Sequence, residues 1–290
     1  MDEPGFTDLA QARVAVVGLG LMGGSLALAL RGRCQALWGV DSSPDVLAEA
    51  CQRGIIDEAT DLAGALGADL LVLAAPARAI LAHLGELARW PPPSGRPMVM
   101  DLGSTKTEIV SAMRQLPPAY APIGGHPMCG KEVSGLAHAE AGLFQDKVFV
   151  LTPLERTPAW ALSRALDLIA AIGARPLALT PERHDQLAAA ASHLPYIAAT
   201  VLVHSAEELG DEQVWQMAAS GFRDTSRLAA SDVTMMADIL LTNREAIRAA
   251  LDRYQAELGA LKALLDGADA DALSAFLAAA AERRRGLFNP

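Results

Sequence analysis

Residues 13–25 read RVAVVGLGLMGGS, and their reading decides the fold. Arg13 to Gly18 is a short Val-rich run, the composition of a strand covered on both faces. Gly18, Gly20 and Gly23 then fit G-x-G-x-x-G, and a helical pattern follows to about Arg31. Gly18 permits a tight turn, Gly20 lets the backbone approach a pyrophosphate, and Gly23 lets helix and strand pack closely. The first helical N–H groups, around Leu21 and Met22, point the positive end of the helix dipole at phosphates. Gly-rich turns are common, so the context carries the weight. Asp41 ends the next strand-like run, ALWGVD, where a carboxylate can accept from a ribose 2′-hydroxyl and repels a 2′-phosphate. Ser42, Ser43 and Pro44 bring no Arg to hold such a phosphate. NAD is therefore expected rather than NADP, bound by Gly18, Gly20, Leu21, Met22, Gly23, Asp41 and Ser42. Ala75 and Pro76, which end a third apolar run (DLLVLAAP, 69–76), complete that set. An unliganded Gly-rich turn and an FAD site are the weaker alternatives.

Outward from this stretch, strands and helices alternate. Helices are expected over 44–53, 107–115 and 160–172, and before the Pro91-Pro92-Pro93 loop. Further strands are expected over 98–103 and 147–151, and residues 124–132 read as a polar, Gly-rich loop. Such alternation predicts an α/β, Rossmann-type, doubly wound parallel sheet. After Thr180 no convincing strand remains, and Ala and Leu recur at helical spacing. The expected domains are residues 1–180, dinucleotide-binding, and 181–290, an all-helical substrate and dimerisation domain.

Composition narrows the function classes. Hydrophobic residues at 51% against 20% charged can build sizeable cores, and aromatics at 4% leave those cores to Ala, Leu and Val. A net charge of −10 excludes the basic face of a nucleic-acid binder or a polybasic membrane-surface protein. An anionic substrate then needs a local cationic cluster, for which Lys106, Lys131, Arg223 and Arg227 are the candidates. Three Cys, an odd number without a CxxC pair, suit reduced thiols in the cytoplasm. The six His show no HxxxH or HxxEH spacing, so no metal site is expected. The acidic start MDEPGFTDLA lacks the apolar core of a signal peptide. Gln186 to Ala206 has the length of a membrane span and no charged side chain. Its Gln, Ser, His and Pro residues, flanked by acidic side chains, favour a helix buried between the subunits of a homodimer instead. Pro195 is expected to start or kink a helix there.

Three further stretches are more specific than the glycine turn. They are DLGSTK (101–106), GGHPMCGKE (124–132) and GFRDTSR (221–227), joined by Ser192-His193-Leu194-Pro195. With GLGLMGGS, this set resembles the prephenate/arogenate dehydrogenases of tyrosine biosynthesis, in order and spacing and over nearly the whole chain. The resemblance implies oxidation of a small dianionic cyclohexadienyl substrate at its hydroxyl-bearing ring carbon, hydride transfer to NAD(P)+, and loss of CO2 as the ring becomes aromatic. It implies that His126 hydrogen-bonds the ring hydroxyl with help from Ser104. Arg227, with Arg223, would bind a substrate carboxylate, gated by Glu132, and Lys106, His193 and Tyr196 would lie near the substrate. Many prephenate-using members carry a second His where Tyr196 stands, so the choice between prephenate and arogenate stays open. A small regulatory domain beyond the helices, present in other members, is not expected before Pro290.

Plainer roles compete at each position. Arg227 can pair with Asp224 or Asp232 on a helix face. His126 can be an ordinary loop histidine. Ser104 can cap the helix that begins near Thr107. A thiol nucleophile at Cys129 finds no supporting residues. A β-hydroxyacid dehydrogenase of similar build, and a protein that senses dinucleotide without turnover, remain the rival functions.

Overall fold

The computed structural model describes residues 8–92, 95–131 and 133–288. Eight strands form one sheet in the order β3-β2-β1-β4-β5-β6-β7-β8. Chain order runs β1 (Arg13–Val17), α1 (Leu21–Leu30), β2 (Ala36–Val40), α2 (Pro44–Gln52), β3 (Glu58–Ala59) and α3 (Leu62–Ala65). It continues with β4 (Leu70–Leu73), α4 (Ala77–Leu87), β5 (Met98–Asp101), α5 (Thr107–Arg114) and β6 (Ala121–Pro127). Then come β7 (Val148–Pro153), α6 (Ala159–Ala171) and β8 (Arg175–Ala178).

Successive residues of each apolar strand enter opposite layers, as the two-residue strand period requires. Val14, Val16, Leu70, Val72, Met98 and Met100 pack with α1 and α6, through Leu26, Leu30, Ala165 and Leu168. Ala15, Val17, Leu71, Leu73 and Val99 pack on the other face with α4 and α5, through Ile80, Leu84, Ile109 and Met113. The doubly wound reading therefore holds. The sheet is not wholly parallel, however: β7 runs antiparallel to β6, and β8 parallel to β7. The loop expected over 124–132 is also corrected, because Gly124 to Pro127 finish β6 and pair with β7.

From Pro181 on, every described element is helical: α7 (Pro181–Ala188), a π-helical turn (Ala189–His193), α8 (Leu194–Glu207), α9 (Gln213–Met217) and α10 (Ser220–Ser226). A 3-10 turn (Arg227–Ala230), α11 (Val233–Thr242), α12 (Arg244–Gly267) and α13 (Ala270–Phe288) follow. Pro195 lies inside one continuous helix from Pro181 to Glu207, directly after the π-helical turn, a local irregularity of the kind that lets a helix take up a proline. Apolar burial here is thin, with Ala189, Ile247 and Ala250 as the centre of a small cluster.

Polar contacts, most of them buried, tie the two halves together. Asp185 on α7 accepts from the backbone N–H groups of Lys106 (2.7 Å) and Thr107 (2.8 Å), and so caps α5 from across the junction. The Thr105 and Thr242 hydroxyls lie 2.9 Å apart, and Asn243 donates to the Asp185 carbonyl at 2.9 Å. Arg78 on α4 reaches Asp238 on α11 at 3.6 Å.

Candidate active site

The strand order reverses between β1 and β4, and the loops leaving β1, β2 and β4 share the carboxyl edge of the sheet. Clefts at such a switch point take dinucleotides. Gly18 sits at φ +93°, and a Cβ there would lie 2.7 Å from the Ala74 carbonyl oxygen. A Cβ at Gly23 would collide with the Gly18 carbonyl, so this glycine lets α1 start against β1. Gly20 is different: nothing lies within 4 Å of where its Cβ would stand. Gly20 also caps α1 without a side chain. Open space above uncapped helical N–H groups is what a pyrophosphate requires. Leu21 and Met22 begin that helix, and Ala75 and Pro76 lead into α4 on the far side of the switch point. Asp41 grips this region: its oxygens accept from the N–H groups of Leu19 (2.8 Å) and Ser43 (2.9 Å). Each carboxylate oxygen keeps a lone pair for a ribose hydroxyl. Ser42, next to it, is exposed. These residues fit a dinucleotide.

Farther along the same edge, β5 ends at Asp101, and the loop after it carries Gly103, Ser104 and Lys106. Asp101 is fully buried and accepts from Gly103 N–H (2.8 Å), Gly125 N–H (3.1 Å) and the Lys106 ammonium. Lys106 Nζ also donates to the Gly125 carbonyl at 2.7 Å. Lys106 has no exposed surface, so its expected substrate role is corrected: it locks β5, its loop and β6 together. Burial pulls the ammonium's pKa down, and Asp101 opposes that shift. Gly125 serves the same packing, since a Cβ there would meet the Asp101 carbonyl at 2.7 Å, whereas a Cβ at Gly124 would collide with the Thr152 hydroxyl on β7. Ser104 is partly exposed, and its hydroxyl makes no hydrogen bond among the described residues. Capping of α5 falls to Asp185 instead.

His126 emerges at the end of β6, opposite Val150 of β7. Its Nδ1 lies 2.8 Å from Nε2 of His184, whose Nδ1 lies 2.8 Å from Asp185 Oδ1. The two imidazoles meet edge to face at 66°. His184 and Asp185 are buried, whereas His126 is partly exposed. Burial, then His184, Lys106 and His193 nearby, hold His126 well below the usual imidazole range. Burial raises the Asp185 carboxyl, but hydrogen bonds from His184, Thr107 and Lys106 outweigh it and lower the pKa overall. His193 is buried with Nδ1 3.1 Å from Asn243 Nδ2, and burial pushes its pKa down to about 4. Sequence reading passed over His184, Asp185 and Asn243. Arg183-His184-Asp185-Gln186 looks like an ordinary polar helix face.

Among the described residues, three members of the cationic cluster expected from sequence have acidic partners, beginning with Lys106 and Asp101. Lys131 pairs with Glu140 at 2.8 Å, and Arg223 with Asp224 at 3.2 Å. Arg223 and Arg227, on α10 and the 3-10 turn packed on α8, are exposed, and Tyr196 in α8 is partly exposed. Glu132 lies outside the described residues.

Residues 26–178 match the family described as "Prephenate dehydrogenase, nucleotide-binding domain", and residues 180–279 "Prephenate dehydrogenase, dimerization domain". Prephenate dehydrogenase of Bacillus subtilis (strain 168) is 34% identical over 284 residues, covering 94% of this chain and 76% of that protein. The crystal structure of prephenate dehydrogenase from A. aeolicus in complex with hydroxyphenyl propionate and NAD+ matches with a TM-score of 0.90 at 29% identity, covering 97% of this chain and 100% of that one. Synechocystis arogenate dehydrogenase matches with a TM-score of 0.82 at 31% identity, over 95% of this chain and 99% of that one.

Proposed function

Because the chain belongs to the prephenate dehydrogenase family, we propose that it oxidises prephenate, or arogenate, with NAD+ and releases CO2 as the ring becomes aromatic, in tyrosine biosynthesis. The observation that carries this reading is the placement of His126, which ends β6 on the carboxyl edge that also carries the dinucleotide turn, with its Nδ1 2.8 Å from His184 Nε2. Gly18, Gly20, Leu21, Met22, Gly23, Ala75 and Pro76 hold NAD+, with Asp41 and Ser42 at its ribose. The cofactor supplies a hydride acceptor. His126 takes the proton of the ring hydroxyl, and Ser104 orients that hydroxyl. Arg227, with Arg223, anchors a substrate carboxylate through the paired N–H groups of a guanidinium. Glu132 gates that anchor, and His193 and Tyr196 border the substrate side chain.

Residues 1–180 serve the cofactor and 181–290 the substrate and the dimer. The run Pro181–Glu207 is long and apolar enough to cross a membrane, yet 22% of its most apolar window is buried in one chain. Val201 on α8, Leu241 on α11 and Leu277 on α13 are further exposed apolar side chains of this half. A second copy of this chain covers this apolar surface in a cytoplasmic homodimer. Following NADH absorbance with prephenate, arogenate and 3-hydroxyacids tests the activity. Turnover is expected with prephenate or arogenate; turnover of a 3-hydroxyacid alone would refute it. Arg227→Ala should raise the substrate KM strongly and leave the NAD+ Kd unchanged.

A further inference from the structure

We propose that His184 and Asp185 are positioning residues that hold His126 in the one tautomer able to accept a proton at Nε2. The inference rests on His126 being the base, as proposed above. Asp185 Oδ1 accepts from the Lys106 N–H at 2.7 Å, and Oδ2 from the Thr107 N–H at 2.8 Å. Both contacts stabilise the ionised carboxylate, which has no proton to give. The Nδ1 of His184, 2.8 Å from Oδ1, must therefore be the donor. In a neutral imidazole one nitrogen donates and the other accepts. With Nδ1 committed to Asp185, Nε2 of neutral His184 is an acceptor. His126 Nδ1, 2.8 Å away, must then donate. That leaves a bare lone pair on His126 Nε2, the ring atom turned away from the chain of contacts.

The opposite tautomer would place an N–H at Nε2 and present a proton to the substrate hydroxyl instead of a base. Proton transfer breaks the hydroxyl O–H bond, forms N–H at His126 Nε2 and makes an imidazolium. The Nδ1–H of that cation still points at His184 Nε2, and the Asp185 charge lies beyond it. Asp185 also caps α5, so one carboxylate serves both the junction between the two halves and the ring contacts that orient the base.

Two substitutions of His184 separate this role from a purely structural one. His184→Gln places an amide oxygen near the former Nε2 and can still accept from His126. His184→Asn places its amide near the former Nδ1, keeping the bond to Asp185 and losing His126. The Asn variant should lose about 10²-fold in kcat, as expected for a mis-set catalytic histidine, while Gln stays within about 10-fold of the parent. KM and NAD+ affinity should hardly move in either. A structural role would reverse the order, sparing Asn and harming Gln, and would overturn the proposal. In the unsubstituted enzyme, 15N NMR of labelled histidines should show His126 protonated at Nδ1; protonation at Nε2 overturns it without any variant having to fold. If both His184 variants keep full kcat while His126→Asn is inactive, the relay is wrong and the base stands. A fully active His126→Asn removes both.

Discussion

The two halves of the chain bury their apolar side chains to different degrees. In the sheet half, both faces are covered by the chain's own helices, and Phe144, Phe149, Leu26 and Leu71 have almost no exposed surface. In the helical half, the buried apolar cluster centres on three residues, whereas Leu258 is 48% exposed and Leu265 59%. The difference teaches that the sheet half carries its own core, while the helical half has little core within one chain and leans on the polar junction, with its exposed apolar surface left for the second copy proposed above. Each half should therefore answer differently to the same kind of damage.

The largest effect is expected in the sheet half. Phe149→Ala should cost about 3–5 kcal/mol, as large-to-small changes in a packed core do, with a Tm loss independent of protein concentration. That independence, checked by calorimetry over a hundredfold dilution, breaks the comparison if it fails. Leu258→Glu should instead weaken dimerisation by about 2–4 kcal/mol, read by sedimentation as a monomer at micromolar concentration. A variant that stays fully dimeric at that concentration would place the interface elsewhere.

Asn243→Ala probes the junction. It strips a donor from the Asp185 carbonyl and from His193 Nδ1 and should cost about 1–3 kcal/mol. The loss should register in denaturant unfolding even in a dimer-deficient background. A pH dependence sharpens the comparison further. Burial lowers the folded-state pKa of His193 from 6.5 to about 4, so the unfolded chain takes up its proton first. Stability from neutral His193 is complete above about pH 6.5 and is lost as pH falls towards 4. His126 shifts in the same direction. Tm should fall across that window, and His193→Gln should fall less; equal slopes would mean that His193 is not held neutral.

How far the sequence revealed this arrangement followed from local pattern. Strands β1, β2, β4 and β5 are continuous apolar runs, and the glycine turn stands between the first of them and α1, so the doubly wound core was legible. The second half of β6 was read as a loop because Gly124, Gly125 and Pro127 are poor strand formers, although Gly124 and Gly125 are the residues that fit closest to Thr152 and Asp101. The edge strand β8 is short, exposed and contains Pro176, which suits an edge and hides the strand. At the site, His126 was marked by its motif. Lys106 was visible as a cation, but nothing local announces that Asp101 and Gly125 enclose it. His184 stands 58 residues from the ring it touches, a pairing that only the packing of α7 against α5 creates.

The central claim is that His126 is the base of the proposed dehydrogenation. The direct measurement is the pH dependence of kcat/KM for NADH formation, in the parent and in His126→Asn. Since burial holds the free-enzyme His126 well below its usual range, the parent's acidic limb should lie below pH 6.5. His126→Asn should lower kcat by about 10²–10⁴-fold and remove that limb, with NAD+ affinity retained. A variant with parental kcat and an unchanged acidic limb would contradict the account.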